Sequence, residues 1–129
     1  MILYIETSAA AKLIIDEPES PRLATHLDRA IDQDDGLLSS MLLETELRRL
    51  AVRTGVGQAV VTRLLERLDL LEIDRSLYRE AGLLPGPHLR SLDAIHVAAA
   101  LRANADAMVT YDLRQADAAE SVGLPVQAP

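Results

Sequence analysis

The chain has 129 residues, of which 49% are hydrophobic, and a formal net charge of −7. That is enough apolar material to bury one core without staples, so a disordered chain is excluded and a single domain over residues 1–129 is predicted. The absence of Cys excludes disulfides, thiolate metal sites and a cysteine nucleophile, and the acidic balance argues against holding nucleic acid by net charge alone. No apolar run approaches membrane-spanning length, and the apolar stretch Met1–Ile5 is too short for a signal sequence, so a cytoplasmic protein without membrane contact is expected.

Ile2-Leu3-Tyr4-Ile5 reads as a buried first strand, ended by Glu6. Thr7-Ser8 suit the N-cap of a helix through Ile15. Ser20-Pro21 suit the cap and first position of the next, whose apolar stripe is Leu23, Leu27 and Ile31. After the break at Gln33–Gly36, Leu37–Ser40 is a short second strand. Met41–Leu50 is a strong helix with Leu43, Leu47 and Leu50 on its buried face. At about 100° per residue, Glu46 lies about 60° from the centre of that face and Glu44 nearly opposite to Glu46. Glu46 is thus expected at the edge of the core and Glu44 in solvent.

Thr54–Gly57 links to a helix over Ala59–Leu68, followed by a strand at Leu70–Ile73 and a helix over Leu77–Leu84. Pro85-Gly86-Pro87 stops that helix. In the next, Ser91 is the expected N-cap and Asp93 falls in the first turn, where the helix dipole favours an acid. The rest of this helix is small and apolar, so it is expected to be buried on most sides. Ala107–Thr110 is a strand, Leu113–Val122 a helix, and Leu124-Pro125-Val126 an edge strand where Pro is tolerated.

Strands alternating with helices predict an α/β domain with a central, mostly parallel sheet flanked by helices. Ligands of such sheets sit beyond the carboxyl ends of the strands. Glu6 and Asp112 each follow a strand there, Asp93 opens a helix that returns to a strand, and Glu46 lies early in a helix that leaves one. Carboxylates gathered at one edge repel and raise each other's pKa unless a cation compensates them. Oxygen ligands suit Mg²⁺ or Mn²⁺, which points to metal-assisted phosphodiester hydrolysis.

Tyr4-Ile5-Glu6-Thr7-Ser8-Ala9, Ser39-Ser40 with Glu46-Leu47-Arg48, Leu92-Asp93-Ala94-Ile95-His96 and Thr110-Tyr111-Asp112 resemble, in order and spacing, the PIN domain, and within it the VapC-type toxins of VapBC toxin–antitoxin modules. The resemblance covers nearly the whole chain. It implies a PIN-like three-layer domain and a Mg²⁺- or Mn²⁺-dependent endoribonuclease acting on tRNA or ribosomal RNA. It also implies a homodimer silenced by a VapB-type antitoxin. Carried over by position, Glu6, Glu46, Asp93 and Asp112 form the acidic site, with Glu6, Asp93 and Asp112 as metal ligands. Glu46 is a ligand or an acid that orients the water, and Thr7 and Thr110 orient carboxylates or water. The family has Asp where this chain has Glu6, one methylene longer, which implies weaker metal binding or a shift toward Mn²⁺.

Two other readings stay open. An attenuated or inactive PIN domain would bind antitoxin or RNA without cutting. A phosphotransfer protein would need an aspartyl nucleophile after the first strand, where Glu6 stands. Of the remaining candidates, His96 is expected to pack in the core, His26 and His88 to lie on the surface, Tyr111 to pack, and Asp117 to be an exposed helix acid. The clusters Arg48, Arg49, Arg53 and Arg63, Arg67 read as solvated faces or as local phosphate contacts.

Overall fold

The computed structural model describes residues 1–129. The strands are β1 (Ile2–Ile5), β2 (Gly36–Ser40), β3 (Asp69–Leu71), β4 (Ala107–Val109) and β5 (Val126–Gln127). The helices are α1 (Thr7–Ala11), α2 (Ser20–Asp32), α3 (Leu42–Thr54), α4 (Gln58–Leu65), α5 (Arg75–Gly82), α6 (Ser91–Arg102) and α7 (Leu113–Ser121). This is the alternation expected from the sequence. All pairings are parallel, in the order β3-β2-β1-β4-β5, so β5 with its preceding Pro125 is indeed an edge.

Period-two alternation in the strands splits the core into two layers. Leu3 and Ile5 of β1 face one side, where they pack with Leu23 and Leu27 of α2, Leu43 and Leu47 of α3, and Val61 of α4. Tyr4 faces the other side, with Leu77 of α5, Val97 of α6, Met108 of β4 and Ala119 of α7. Without Phe or Trp, close approach replaces bulk. Ala94, Ala98, Ala99 and Ala100 let α6 lie tightly in its layer, where most of the helix is buried as expected.

Several local expectations are corrected. α1 is a single short turn capped by Glu6, in extended conformation at the end of β1, whose side chain accepts from Ser8 N, while Thr7, expected to cap, is already helical. α2 begins at Ser20, and its buried stripe ends at Ala30 while Ile31 is exposed. In α3 the third buried position is Ala51 rather than Leu50, the continuation of Leu43 and Leu47 at four-residue spacing. α6 starts one residue early: Arg90 holds the N-cap position without a side-chain bond, and Ser91 is already helical.

α5 and α6 are tied at an exposed corner. Asp74 Oδ1 caps α5 by accepting from Leu77 N at 2.9 Å and also accepts from Arg102 Nη1 at 2.8 Å. Arg102, with the Leu77 N–H and the Ser76 hydroxyl, holds the Asp74 carboxyl well below the usual range. A depressed native pKa means that the stabilisation is complete above the unfolded carboxyl range and is lost as pH falls through the native value. At neutral pH, thermal unfolding should rank wild type above Asp74→Asn, which keeps a capping oxygen, and Asp74→Ala lowest. In acid the wild type should descend toward Asp74→Asn. Equal melting of all three at neutral pH would contradict this account of the corner.

Candidate active site

A parallel strand is reached only by a connection that runs back across the sheet, so the strand ends and the start of each returning helix share one edge. Glu6 follows β1 and Asp112 follows β4 directly. Glu46 sits in the second turn of α3 and Asp93 in the first turn of α6, both at that edge.

Glu6 is buried. Its Oε2 accepts from Ser8 N at 2.9 Å, from the Ser8 hydroxyl, and from Thr110 Oγ1 at 2.7 Å. Its Oε1 takes no hydrogen bond from the protein and is not fully enclosed. Asp112 is arranged likewise. Oδ1 caps α7 through Arg114 N at 2.9 Å and Gln115 N at 3.2 Å, leaving Oδ2 free.

Glu46 is held from two sides. Its Oε1 accepts from Thr7 Oγ1 at 2.7 Å and from His96 Nε2 at 2.6 Å. The other ring nitrogen, Nδ1, lies 2.7 Å from the Tyr4 hydroxyl. Burial pushes the Tyr4 phenol up, so it stays a hydroxyl, and because the Glu46 carboxylate only accepts, a neutral ring leaves Nδ1 to accept from Tyr4. The ring proton then sits on Nε2 and points at Glu46. This chain crosses the carboxyl edge from β1 and α6 in one layer to α3 in the other. His96 packs in the core as expected, and it also fixes a site carboxylate. Glu44, on the outer face, pairs with Arg48 Nε at 3.0 Å and is not part of the site.

Asp93 is the acid least compensated by hydrogen bonds. Its Oδ2 is buried without a hydrogen-bond partner, and the nearest cation, Arg114 Nε, is 3.9 Å away, beyond hydrogen-bond reach. Burial first, and the Asp112 charge second, push its carboxyl up. Its backbone carbonyl is held by Gln115 Nε2 at 3.1 Å, which locks the start of α6 against α7.

The four expected acids therefore share the edge, but Glu6, Asp93 and Asp112 do not close into a three-ligand cluster; no such group stands anywhere in the protein. The donor set still fits a hard cation held by one or two carboxylates with water in the rest of its shell, the habit of Mg²⁺. The unpartnered Asp93 carboxylate is the feature that calls for positive charge.

Sequence reasoning placed Thr7 and Thr110 correctly as carboxylate-orienting hydroxyls. It missed Ser8, which braces Glu6 and donates no sequence signal beyond its place in the first turn. It also missed Gln115, fully buried behind Asp93, and Tyr4, whose partner lies 92 positions away. His26 is half-buried rather than a plain surface residue, because its Nε2 meets Gln127 Oε1 at 2.8 Å. Tyr111 packs as expected, with Lys12 Nζ 4.9 Å from its ring centre, and Asp117 is exposed.

Residues 3–121 match the PIN domain. The chain is 44% identical over 134 aligned residues to Ribonuclease VapC35 of Mycobacterium tuberculosis, covering 99% of this chain and 97% of that protein. It is 38% identical to Ribonuclease VapC46 of the same organism, covering 98% and 97%. Among solved structures, VapBC2 from Rickettsia felis bound to a promoter DNA fragment superimposes with a TM-score of 0.75 at 17% identity, covering 98% of each chain. FitAB bound to a DNA fragment gives 0.68 at 20% identity, covering 98% of this chain and 94% of that one. These two share the fold.

Two outcomes follow from the geometry. Tyr4→Phe leaves the buried Nδ1 acceptor unmatched and should cost about 1–3 kcal/mol of stability, read by denaturant unfolding; no change would mean that the hydroxyl does not serve the ring. Asp93 has a raised native pKa, so in metal-free buffer its ionisation costs stability as pH rises through the window above the unfolded value. Asp93→Asn should then melt higher than wild type at neutral pH, with the gap closing in acid. A lower melting point at neutral pH would contradict the uncompensated charge.

Proposed function

The chain belongs to the PIN-domain family, and on that premise we propose that it is a metal-dependent endoribonuclease, the toxin of a VapBC-type toxin–antitoxin module. The observation that carries the reading is the half-buried Asp93 carboxylate, whose Oδ2 is enclosed with no hydrogen bond and feels the Asp112 charge at the ligand-binding edge of the sheet. Near-full-length similarity to proteins named as ribonucleases supports the reaction class. The VapBC and FitAB neighbours support a VapB-type antitoxin as partner, and a homodimer belongs to the same reading. No helix is long and apolar enough to cross a membrane, in keeping with a cytoplasmic toxin.

Among Glu6, Asp93 and Asp112, one or two carboxylates would hold Mg²⁺ or Mn²⁺ directly and the rest through its waters. When bound, the ion supplies an acidified water and positive charge against the phosphodiester oxygens. The chain's own residues do the rest. Thr7 and His96 fix Glu46 Oε1, so Oε2 is aimed as the acceptor for a proton leaving the attacking water. Ser8 and Thr110 fix Glu6 in the same way through one oxygen. Asp112 is set by the α7 backbone, so the edge needs little reorganisation when RNA arrives. tRNA or ribosomal RNA is the expected target.

A second reading is favoured by one observation: Glu6 spends Oε2 on capping α1, which leaves a single oxygen for a ligand. In that reading the domain is attenuated and binds antitoxin or RNA without turnover.

Cleavage of total cellular RNA by the antitoxin-free protein separates the two. Discrete fragments should appear with Mg²⁺ or Mn²⁺ and vanish in EDTA. Asp93→Asn should lower kcat by roughly 10²-fold or more, about 3 kcal/mol of barrier. Full activity in EDTA, or an undiminished Asp93→Asn, would sink the ribonuclease reading. Cleavage by Glu6→Asp alone would establish the attenuated one.

A further inference from the structure

On the outer face of α2, Arg22, Thr25, His26 and Arg29 recur at helical spacing and line an open pocket of about 460 Å³ with Pro21 and Pro129. Besides the two proline rings its lining is Arg22, Thr25, His26 and Arg29, so both of its charged groups are cations. Arg22 and Arg29 are exposed, and neither is engaged in an ion pair. Lys12, by contrast, is spent on Glu17 and Glu19 at 2.7 and 3.0 Å, and Arg67 on Asp28 at 3.1 Å. In a chain of net charge −7, two uncommitted guanidinium groups on one pocket wall make a local positive site that a polyanion would seek.

The pocket is joined to the acids. α2 runs into β2, so its first turns lie at the carboxyl edge, and His26 Nε2 pins it to the end of β5 through Gln127 Oε1 at 2.8 Å. Pro129 in the pocket wall accepts from the Tyr111 hydroxyl at 2.7 Å. Tyr111 N donates to Ser8 Oγ at 2.9 Å, and Ser8 braces Glu6. The basic pocket and the acidic site thus flank a single short segment, Thr110–Asp112.

We propose that Arg22, Thr25 and Arg29 form a phosphate subsite that grips the RNA backbone to one side of the scissile bond, which rests on the ribonuclease reading above. Planar guanidinium forks suit phosphodiester oxygens, and the Thr25 hydroxyl adds a neutral donor. Two guanidinium groups and no carboxylate in the wall favour a polyanion, and an acidic protein segment is the competing occupant that the test separates. The subsite also answers the charge problem. RNA is held where the surface is locally positive while the acids act beside it.

The test is binding of a short, labelled, mixed-sequence single-stranded RNA in EDTA, followed over a range of salt, for wild type, Arg22→Ala/Arg29→Ala and Arg49→Ala/Arg53→Ala. The second double variant removes the same charge from the far part of α3. Loss of Arg22 and Arg29 should weaken binding roughly tenfold and flatten the slope of log K against log salt by about 1.4, at about 0.7 per phosphate contact. The α3 variant should match wild type in slope. Equal effects of the two variants, or no RNA binding by wild type, would overturn the subsite. So would displacement of RNA by a glutamate-rich peptide as readily as by unlabelled RNA, which would assign the pocket to an acidic protein segment. Cleavage assays keep the two readings apart. Asp93-dependent cutting with unchanged binding in Arg22→Ala/Arg29→Ala removes the subsite alone. Arg22- and Arg29-dependent binding without any metal-dependent cutting removes the nuclease alone.

Discussion

Because every strand runs the same way, each connection must run back across the sheet, and the starts of α1, α3, α6 and α7 gather at one edge, while α5 starts beside the end of α6. Helix starts favour acids, as caps and through the dipole. The constraint that makes this fold therefore also gathers negative charge where ligands bind. Glu6 and Asp112 relieve part of it by accepting backbone N–H bonds. Glu46 relieves part through Thr7 and His96. Asp93 Oδ2 accepts no hydrogen bond and has only the distant Arg114 guanidinium against it, so burial and the Asp112 charge push its carboxyl up.

The same geometry gives the site its rigidity. Glu6, Glu46 and Asp112 are each anchored through one oxygen and offer the other. An anchored carboxylate loses little entropy on meeting a ligand, and it keeps its direction. The buried chain from Tyr4 through His96 to Glu46 couples the two core layers across the site. A core substitution in either layer can thus reach the chemistry through a hydrogen bond as well as through packing.

The element order was legible because strand and helix periods differ and the apolar runs are short and clean; Ile2–Ile5 and Ala94–Leu101 are plain cases. The acids at the edge followed from topology once the parallel sheet was inferred. The cap positions were not legible to one residue, since Thr7 and Ser8 are the preferred cap types and the strand's last extended residue, Glu6, holds the cap instead. Nor was the Tyr4–His96–Glu46 chain, because its members are far apart in sequence and each looks ordinary alone. Arg22 and Arg29 escaped notice for a similar reason. They sit on the polar face of an amphipathic helix, and only the placement of Pro129 and Tyr111 beside them sets that face apart.

The central claim is that Asp93 is the centre of an electrostatically incomplete site that takes a divalent cation. Calorimetric titration of the antitoxin-free protein with Mn²⁺ and with Mg²⁺, beside Asp93→Asn, tests it without reference to any RNA. The account predicts saturable binding by wild type that Asp93→Asn loses or weakens at least tenfold. Equal binding by the two proteins, or none by wild type, would contradict it.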